Sequence, residues 1–285
     1  MILPLMEAAA GREGSSLELP NLLSLLTHFT HNEAWRRVLE EGKWADVLFT
    51  WAVVLFLAVF FRLASRRRAL MPGRLQNVAE YVVQSLHDFI VGVMGPQGEP
   101  YVPFLGSLFI YILAMNLWGL VPGLKSPTVN LNTTLSMGLT VFLYVQWTGI
   151  RRLGVVGYLD HMAGEPRDLI GWAMVPLMLP LHLIGELAKP VSLSCRLFGN
   201  IFGEDILLAV FTGLGITLLQ LVHVPYGGIP LQLPFIFLAM LTSVVQALIF
   251  TLLSTIYIFL MLPHEQHEGG GAGPAHARAA RPESA

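Results

Sequence analysis

Charge is what this sequence has least of. Only 13% of its 285 residues are Asp, Glu, Lys or Arg, against about 25% in an ordinary soluble domain. Hydrophobic residues make up 54%, and mean hydropathy is +0.62. So apolar a chain cannot hide its surface in one globular core, which excludes a soluble domain and points to a polytopic membrane protein. With a net charge of −2 there is no basic face for a nucleic-acid partner. The single cysteine, Cys195, excludes an internal disulfide framework and reads as a small apolar filler. The N-terminus lacks the basic start and apolar core of a secretory signal. Glycine-rich phosphate loops, zinc-spaced Cys/His sets and serine-nucleophile elbows are missing too. The expectation is therefore no cofactor, no metal and no soluble-type catalytic site.

What is present is a series of apolar runs. Residues 1–43 are mixed, with Leu22, Leu23, Leu25, Leu26 and Phe29 ahead of the charged run Glu33 to Lys43. They read as an N-terminal extracytoplasmic surface segment, with one short interfacial helix. The membrane domain takes residues 44–262. Its first span runs from Trp44 to Phe61, with Trp44 and Trp51 as interfacial aromatics. Arg62, Arg66, Arg67, Arg68 and Arg74 follow without an acid among them. Short basic loops stay cytoplasmic, which puts the N-terminus outside. From Leu75 to Met94, apolar residues at helical spacing oppose Gln76, Glu80, Gln84, His87 and Asp88, the pattern of an amphipathic surface helix. Gly95-Pro-Gln-Gly-Glu-Pro100 breaks the chain. Tyr101–Val121 is the second span and Leu131–Ile150 the third, closed by Arg151-Arg152. A polar, glycine-rich loop leads to Asp168.

The run Leu169–Val222 would reach about 80 Å as one helix, against about 30 Å of hydrocarbon. It either folds into a hairpin or lies steeply tilted, and Pro176, Pro180 and Pro190 do not decide between these. The last apolar run, Leu233–Leu262, is also longer than a crossing needs. Residues 263–285, rich in Gly, Ala and His, read as a disordered cytoplasmic tail.

Arg196 sits within the long run and cannot shed its proton to ease burial. Arginine at a bilayer centre costs roughly 2.5–3.5 kcal/mol on insertion scales, so such residues usually face a partner or water. Helical geometry lines Lys189, Ser192, Arg196, Asn200 and Gly203 along one stripe, with His182 close to it. Glu186 and Glu204 flank the stripe on either side, and Asp205 points to the far face of a straight helix. On the last helix Gln246 is the conspicuous polar residue, with Thr242 and Ser243 beside it. A fixed cation with acids above and below suits a barrier: it repels cations at its level and favours ionised carboxylates nearby. Blander roles exist. Arg196 can pair with Glu204 or cap carbonyls, His182 can pair with Glu186, Glu204 and Asp205 can form a solvated helix end, Lys189 can snorkel, and Gln246 can glue helices.

At these residues the chain resembles subunit a of the F-type ATP synthase. The resemblance rests on Lys189-Pro190-Val-Ser192-Leu-Ser-Cys195-Arg196-Leu-Phe198-Gly199-Asn200-Ile. It is supported by Asn116-Leu-Trp-Gly119-Leu-Val-Pro122-Gly123, by Pro127-Thr128 with Asn132-Thr133-Thr134, and by Gln246-Ala247-Leu-Ile-Phe250. These stand in the family's order over residues 45–262. The resemblance implies an all-α fold of about five transmembrane helices, the last two long and steeply tilted, plus one amphipathic surface helix. It also implies a multi-pass place in the cell inner (plasma) membrane, N-terminus outside and C-terminus cytoplasmic, with the c-subunit ring and the b subunits of the peripheral stalk as partners.

By the same resemblance Arg196 faces the c-ring carboxylate, Glu186 borders the inner half-channel, and Glu204 and Asp205 border the outer one. His182, Asn200 and Gln246 join this proton path. There are departures: the family's outer acid commonly sits nine residues after the arginine, where this chain has Asp205, preceded by Glu204. Where some bacterial members carry a histidine on the last helix, this chain has Ala239. The implied function is a non-catalytic, proton-translocating subunit of the ATP synthase. A stand-alone ion-coupled secondary transporter and a purely structural anchor are the rivals; the lack of an internal repeat disfavours the first.

Overall fold

The computed structural model describes residues 43–66, 73–121, 124, 126–164, 169–221 and 230–262. The sequence readings of the N-terminal segment, the Arg67–Arg68 pair and the C-terminal tail lie outside these residues. Among the described residues every regular element is helical. Helix α1 spans Lys43–Ser65, α2 Arg74–Met94, α3 Val102–Trp118, α4 Leu131–Met162, α5 Leu169–Leu221 and α6 Leu233–Leu260; short 3-10 helices cover Gly95–Tyr101 and Pro127–Val129.

Four helical stretches are long and apolar enough to cross a membrane: Asp46–Ser65, Arg74–Trp118, Gly171–Gly215 and Leu233–Leu260. Helix α4 has the length but is less apolar, because it opens on Asn132, Thr133 and Thr134 and carries Arg151 and Arg152. The outer surface is rich in large apolar side chains, with Trp51 67% and Trp172 67% exposed. Soluble monomers rarely expose contiguous apolar surface on this scale, whereas lipid covers it without cost. This is a multi-pass membrane protein.

Helix α2 bears out its amphipathic pattern. It buries Ala79, Leu86, Ile90 and Met94 against the bundle and leaves Val78 and Tyr81 exposed. The core joins Ile90 to Leu105, Ile112 and Met115 of α3, Val141 of α4, Leu193 and Leu197 of α5, and Phe250 and Ile258 of α6.

Helix α5 is one continuous 53-residue helix, with Pro176, Pro180 and Pro190 inside it. The hairpin alternative is thereby excluded. At about 80 Å against about 30 Å of hydrocarbon, such a helix must tilt steeply. Each proline removes one i→i−4 donor without ending the helix. At Pro190 the bundle closes in: Ser194 Oγ donates to the Pro190 carbonyl at 2.7 Å, and Gly138 of α4 packs on the same carbonyl. A Cβ at Gly138 would lie 2.7 Å from that oxygen. Gly138→Ala is therefore expected to push α4 from α5 and cost about 1–3 kcal/mol, read as a lower thermal midpoint of the purified complex.

Two contacts register the ends of the bundle. Asn130 Nδ2 donates to Asp46 Oδ2 at 2.8 Å, tying the start of α1 to the start of α4. Arg152 Nε donates to the Tyr101 hydroxyl at 3.3 Å, tying the end of α4 to the start of α3. Beside the first of these sits a buried polar knot. Ser126 Oγ donates to the Met115 carbonyl at 3.0 Å, and Thr128 Oγ1 donates to Asn116 Oδ1 at 3.2 Å. Gly119 is close-packed there, since a Cβ would come within 3.2 Å of the Ser126 nitrogen. The Asn116-to-Gly119 and Pro127-Thr128 motifs thus meet in one buried hydrogen-bonded knot.

The structure corrects two sequence readings. The segment after Arg152 is not a loop throughout: the chain turns at Gly154, at φ 73° and ψ 166°, and a helix resumes to Met162. Only glycine adopts that backbone without strain. Cys195 is not buried filler but exposed on α5. It shares the exposed side of the helix with Arg196.

Candidate functional site

The site is built on α5, whose two faces differ. Leu193, Leu197 and Ile201 are buried against the bundle, while Ser192, Arg196, Gly199 and Gly203 lie on the exposed face. Nothing lies within 4 Å of where a Cβ would stand on Gly199 or Gly203. Arg196 sits near the middle of the membrane-crossing stretch Gly171–Gly215. Along the axis it stands about 15 Å from Glu186 and about 12 Å from Glu204, so neither carboxylate reaches it. Among the described residues no carboxylate forms an ion pair with it. The alternative of an Arg196–Glu204 pair is excluded.

Glu186 is 9% exposed and held directly by two side chains. Lys189 Nζ pairs with its Oε1, and Gln146 Nε2 of α4 donates to its Oε2 at 3.0 Å. The Tyr158 hydroxyl, from the helix beyond Gly154, donates to Gln146 Oε1. The Lys189 ammonium also lies over the Tyr257 ring of α6, 5.0 Å from its centroid. Lys189 does not snorkel, because its partner is at hand. The Tyr257 ring lies within electrostatic reach of both Glu186 and Arg196. His182 is not brought to this cluster; it is exposed and sits beside the Gly164 turn.

The second cluster joins α5 to α6. Glu204 Oε1 accepts from Asn200 Nδ2 at 2.7 Å and from the Thr242 hydroxyl. The Thr242 hydroxyl also lies 3.0 Å from the Ala239 carbonyl and 3.1 Å from that of Leu238. One hydroxyl proton cannot serve all three acceptors at once. With Glu204 ionised it points to the carboxylate; with Glu204 protonated it can turn to the backbone and accept from the acid. Asp205 is half-buried on the next position of the helix and is itself engaged.

The contacts Lys189–Tyr257 and Glu204–Thr242 set α5 and α6 antiparallel. Gln246 therefore lies level with Asn200, one turn from Arg196. It is 6% exposed, and its amide nitrogen finds no acceptor among the described residues.

Arg196 thus stands between two carboxylate clusters on one helix. The family described as ATP synthase A chain matches residues 47–259. The chain belongs to this family. It is 42% identical over 248 residues to ATP synthase subunit a of Protochlamydia amoebophila, covering 87% of this chain and 90% of that protein. It is 39% identical over 250 residues to ATP synthase subunit a of Oleidesulfovibrio alaskensis, covering 88% and 98%. To the subunit a of Solidesulfovibrio magneticus it is 41% identical over 220 residues.

The sequence pointed to Arg196, Glu186, Glu204, Asp205, Asn200, Gln246 and His182; the structure adds Gln146, Tyr158 and Tyr257 as neighbours of the Glu186–Lys189 pair. Gln146 had a signal, as the one amide in the apolar stretch from Val141 to Gly149. Tyr158 sat in a segment read as loop. Tyr257 carries no local mark at all, since tyrosine is ordinary near a membrane interface.

Proposed function

We propose that this chain is the proton-conducting stator subunit of an F-type ATP synthase, and that Arg196 works against the carboxylates of a rotating c-subunit ring. The observation that carries this is the position of Arg196: exposed on α5, unpaired with any described carboxylate, and between the Glu186 and Glu204 clusters along the helix. Protons from outside pass through water to Glu204 and on to a ring carboxylate, with Asp205 at the margin of the same path. The neutralised carboxylate then travels round through lipid. Near Glu186, with Gln146 and Tyr158 in its network, it releases its proton to the inner side. Arg196 holds the returning carboxylate ionised and repels any proton moving directly between the clusters. Each charge crossing is worth about 2.3 kcal/mol per 100 mV, which drives rotation. The open face at Gly199 and Gly203 fits a closely approaching ring helix. The b subunits are the further stator partners, and catalysis of ATP synthesis belongs to other subunits.

The charge distribution supports an inner-membrane topology with the N-terminus outside and the C-terminus cytoplasmic. Arg62, Arg66, Arg151 and Arg152 gather at helix ends opposite the Asp46–Asn130 contact, as the positive-inside rule requires. Met261, after the last helix, packs by Gly149 near that basic end.

The test separates this reading from a stand-alone transporter. The purified chain in liposomes is expected to carry no proton flux under an imposed potential, and the complex assembled with its ring to carry flux that follows ring rotation. Flux through the chain alone would favour the transporter.

A further inference from the structure

Away from the proton path, a cavity of about 450 Å³ opens at the basic end of the bundle, lined by Pro100, Tyr101, Tyr144, Trp147, Thr148, Arg151 and Arg152. We propose that this cavity binds the phosphate of an anionic phospholipid, whose acyl chains lie along the outer face of α4.

The walls are rigid and polar in the right places. Tyr144 stacks on Phe104 at 3.8 Å and 13°, and Tyr101 meets the Tyr144 ring edge-on at 6.4 Å. Arg152 is oriented by its Nε bond to the Tyr101 hydroxyl, which leaves its terminal nitrogens for another acceptor. Arg151 adjoins it, and the lining contains two arginines and no carboxylate. Two guanidinium groups lining one cavity match the planar, bidentate demand of a phosphate. Thr148 adds a hydroxyl from a buried position.

The apolar surface leading into the cavity decides between a lipid and a soluble phosphate. Leu135, Leu139, Leu143, Trp147 and Ile150 are all exposed, with Leu143 at 58% and Trp147 at 64%. Their spacing of four, four, four and three residues makes one stripe along α4. It ends at Arg151, with Trp147 at the interfacial level. A free phosphate has no use for that stripe; an acyl chain covers it. Basic pockets at such membrane boundaries attract anionic headgroups, and each basic residue contributes roughly a fivefold gain in affinity.

The test uses the assembled complex in phosphatidylcholine nanodiscs with a trace of photoactivatable phosphatidylglycerol, the crosslink being mapped by peptide mass. Labelling is expected on the segment from Tyr144 to Arg152, displaced by unlabelled phosphatidylglycerol and not by glycerol phosphate. Arg151→Gln combined with Arg152→Gln is expected to weaken labelling about 25-fold. Should that double variant not assemble, Arg151→Gln alone is expected to weaken it about fivefold. Equal labelling by a phosphatidylcholine probe, labelling undiminished in the variants, or exclusion of lipid from this face by another subunit would each overturn the proposal. Displacement by glycerol phosphate would make the occupant a soluble phosphate and overturn the lipid assignment. Proton pumping need not change in any of these arms, so the proposal stands or falls apart from the proposed function.

Discussion

Arg196→Ala in the assembled complex is expected to abolish ATP-driven proton uptake by inverted vesicles while ATP hydrolysis and assembly persist. A fixed cation near a carboxylate lowers its pKa by roughly 1–3 units, so its loss weakens proton release from the ring about 10- to 1,000-fold. The same change removes the barrier between the two clusters, and passive proton leak under an imposed potential is expected to rise. Arg196→Lys keeps the charge but not the planar fork, and lysine can lose its proton in an apolar setting. It is expected to recover only part of the pumping. Normal uptake by the alanine variant would make Arg196 a structural residue and end the mechanism.

The second large effect concerns which outer acid carries the proton. Glu204 faces α6 and is bonded by Asn200 and Thr242, and the Thr242 hydroxyl has backbone acceptors to turn to. That environment accommodates both protonation states. Glu204→Gln retains the shape and much of the hydrogen bonding but cannot exchange a proton, and positioned acid–base groups commonly contribute about 10²–10⁴-fold. Pumping is expected to fall at least tenfold in Glu204→Gln and less than twofold in Asp205→Asn, measured at matched assembly. A larger loss in the aspartate variant would reverse the assignment and restore the family's usual spacing. Thr242→Val offers a check on the switching hydroxyl: an intermediate loss is the expected result.

Much of this protein follows from its sequence alone. Apolar runs of spanning length, separated by basic clusters and glycine–proline breaks, dictate an all-helical membrane protein, because only helices satisfy their backbone within a single segment in lipid. The four-residue spacing of Ser192, Arg196 and Asn200 puts the arginine on one face with its polar neighbours, and helical geometry carries that directly into space. Tertiary structure was needed wherever partners come from other helices. Whether Leu169–Leu221 folds back or runs on is not written in its prolines; the structure shows one continuous helix through all three. Glu186 finds Gln146, forty residues away, and Tyr158 only because Gly154 turns the chain back into a helix. Glu204 meets Thr242 of α6, a contact that periodicity along α5 does not foretell. Periodicity assigns a residue to a face; packing alone decides what that face meets.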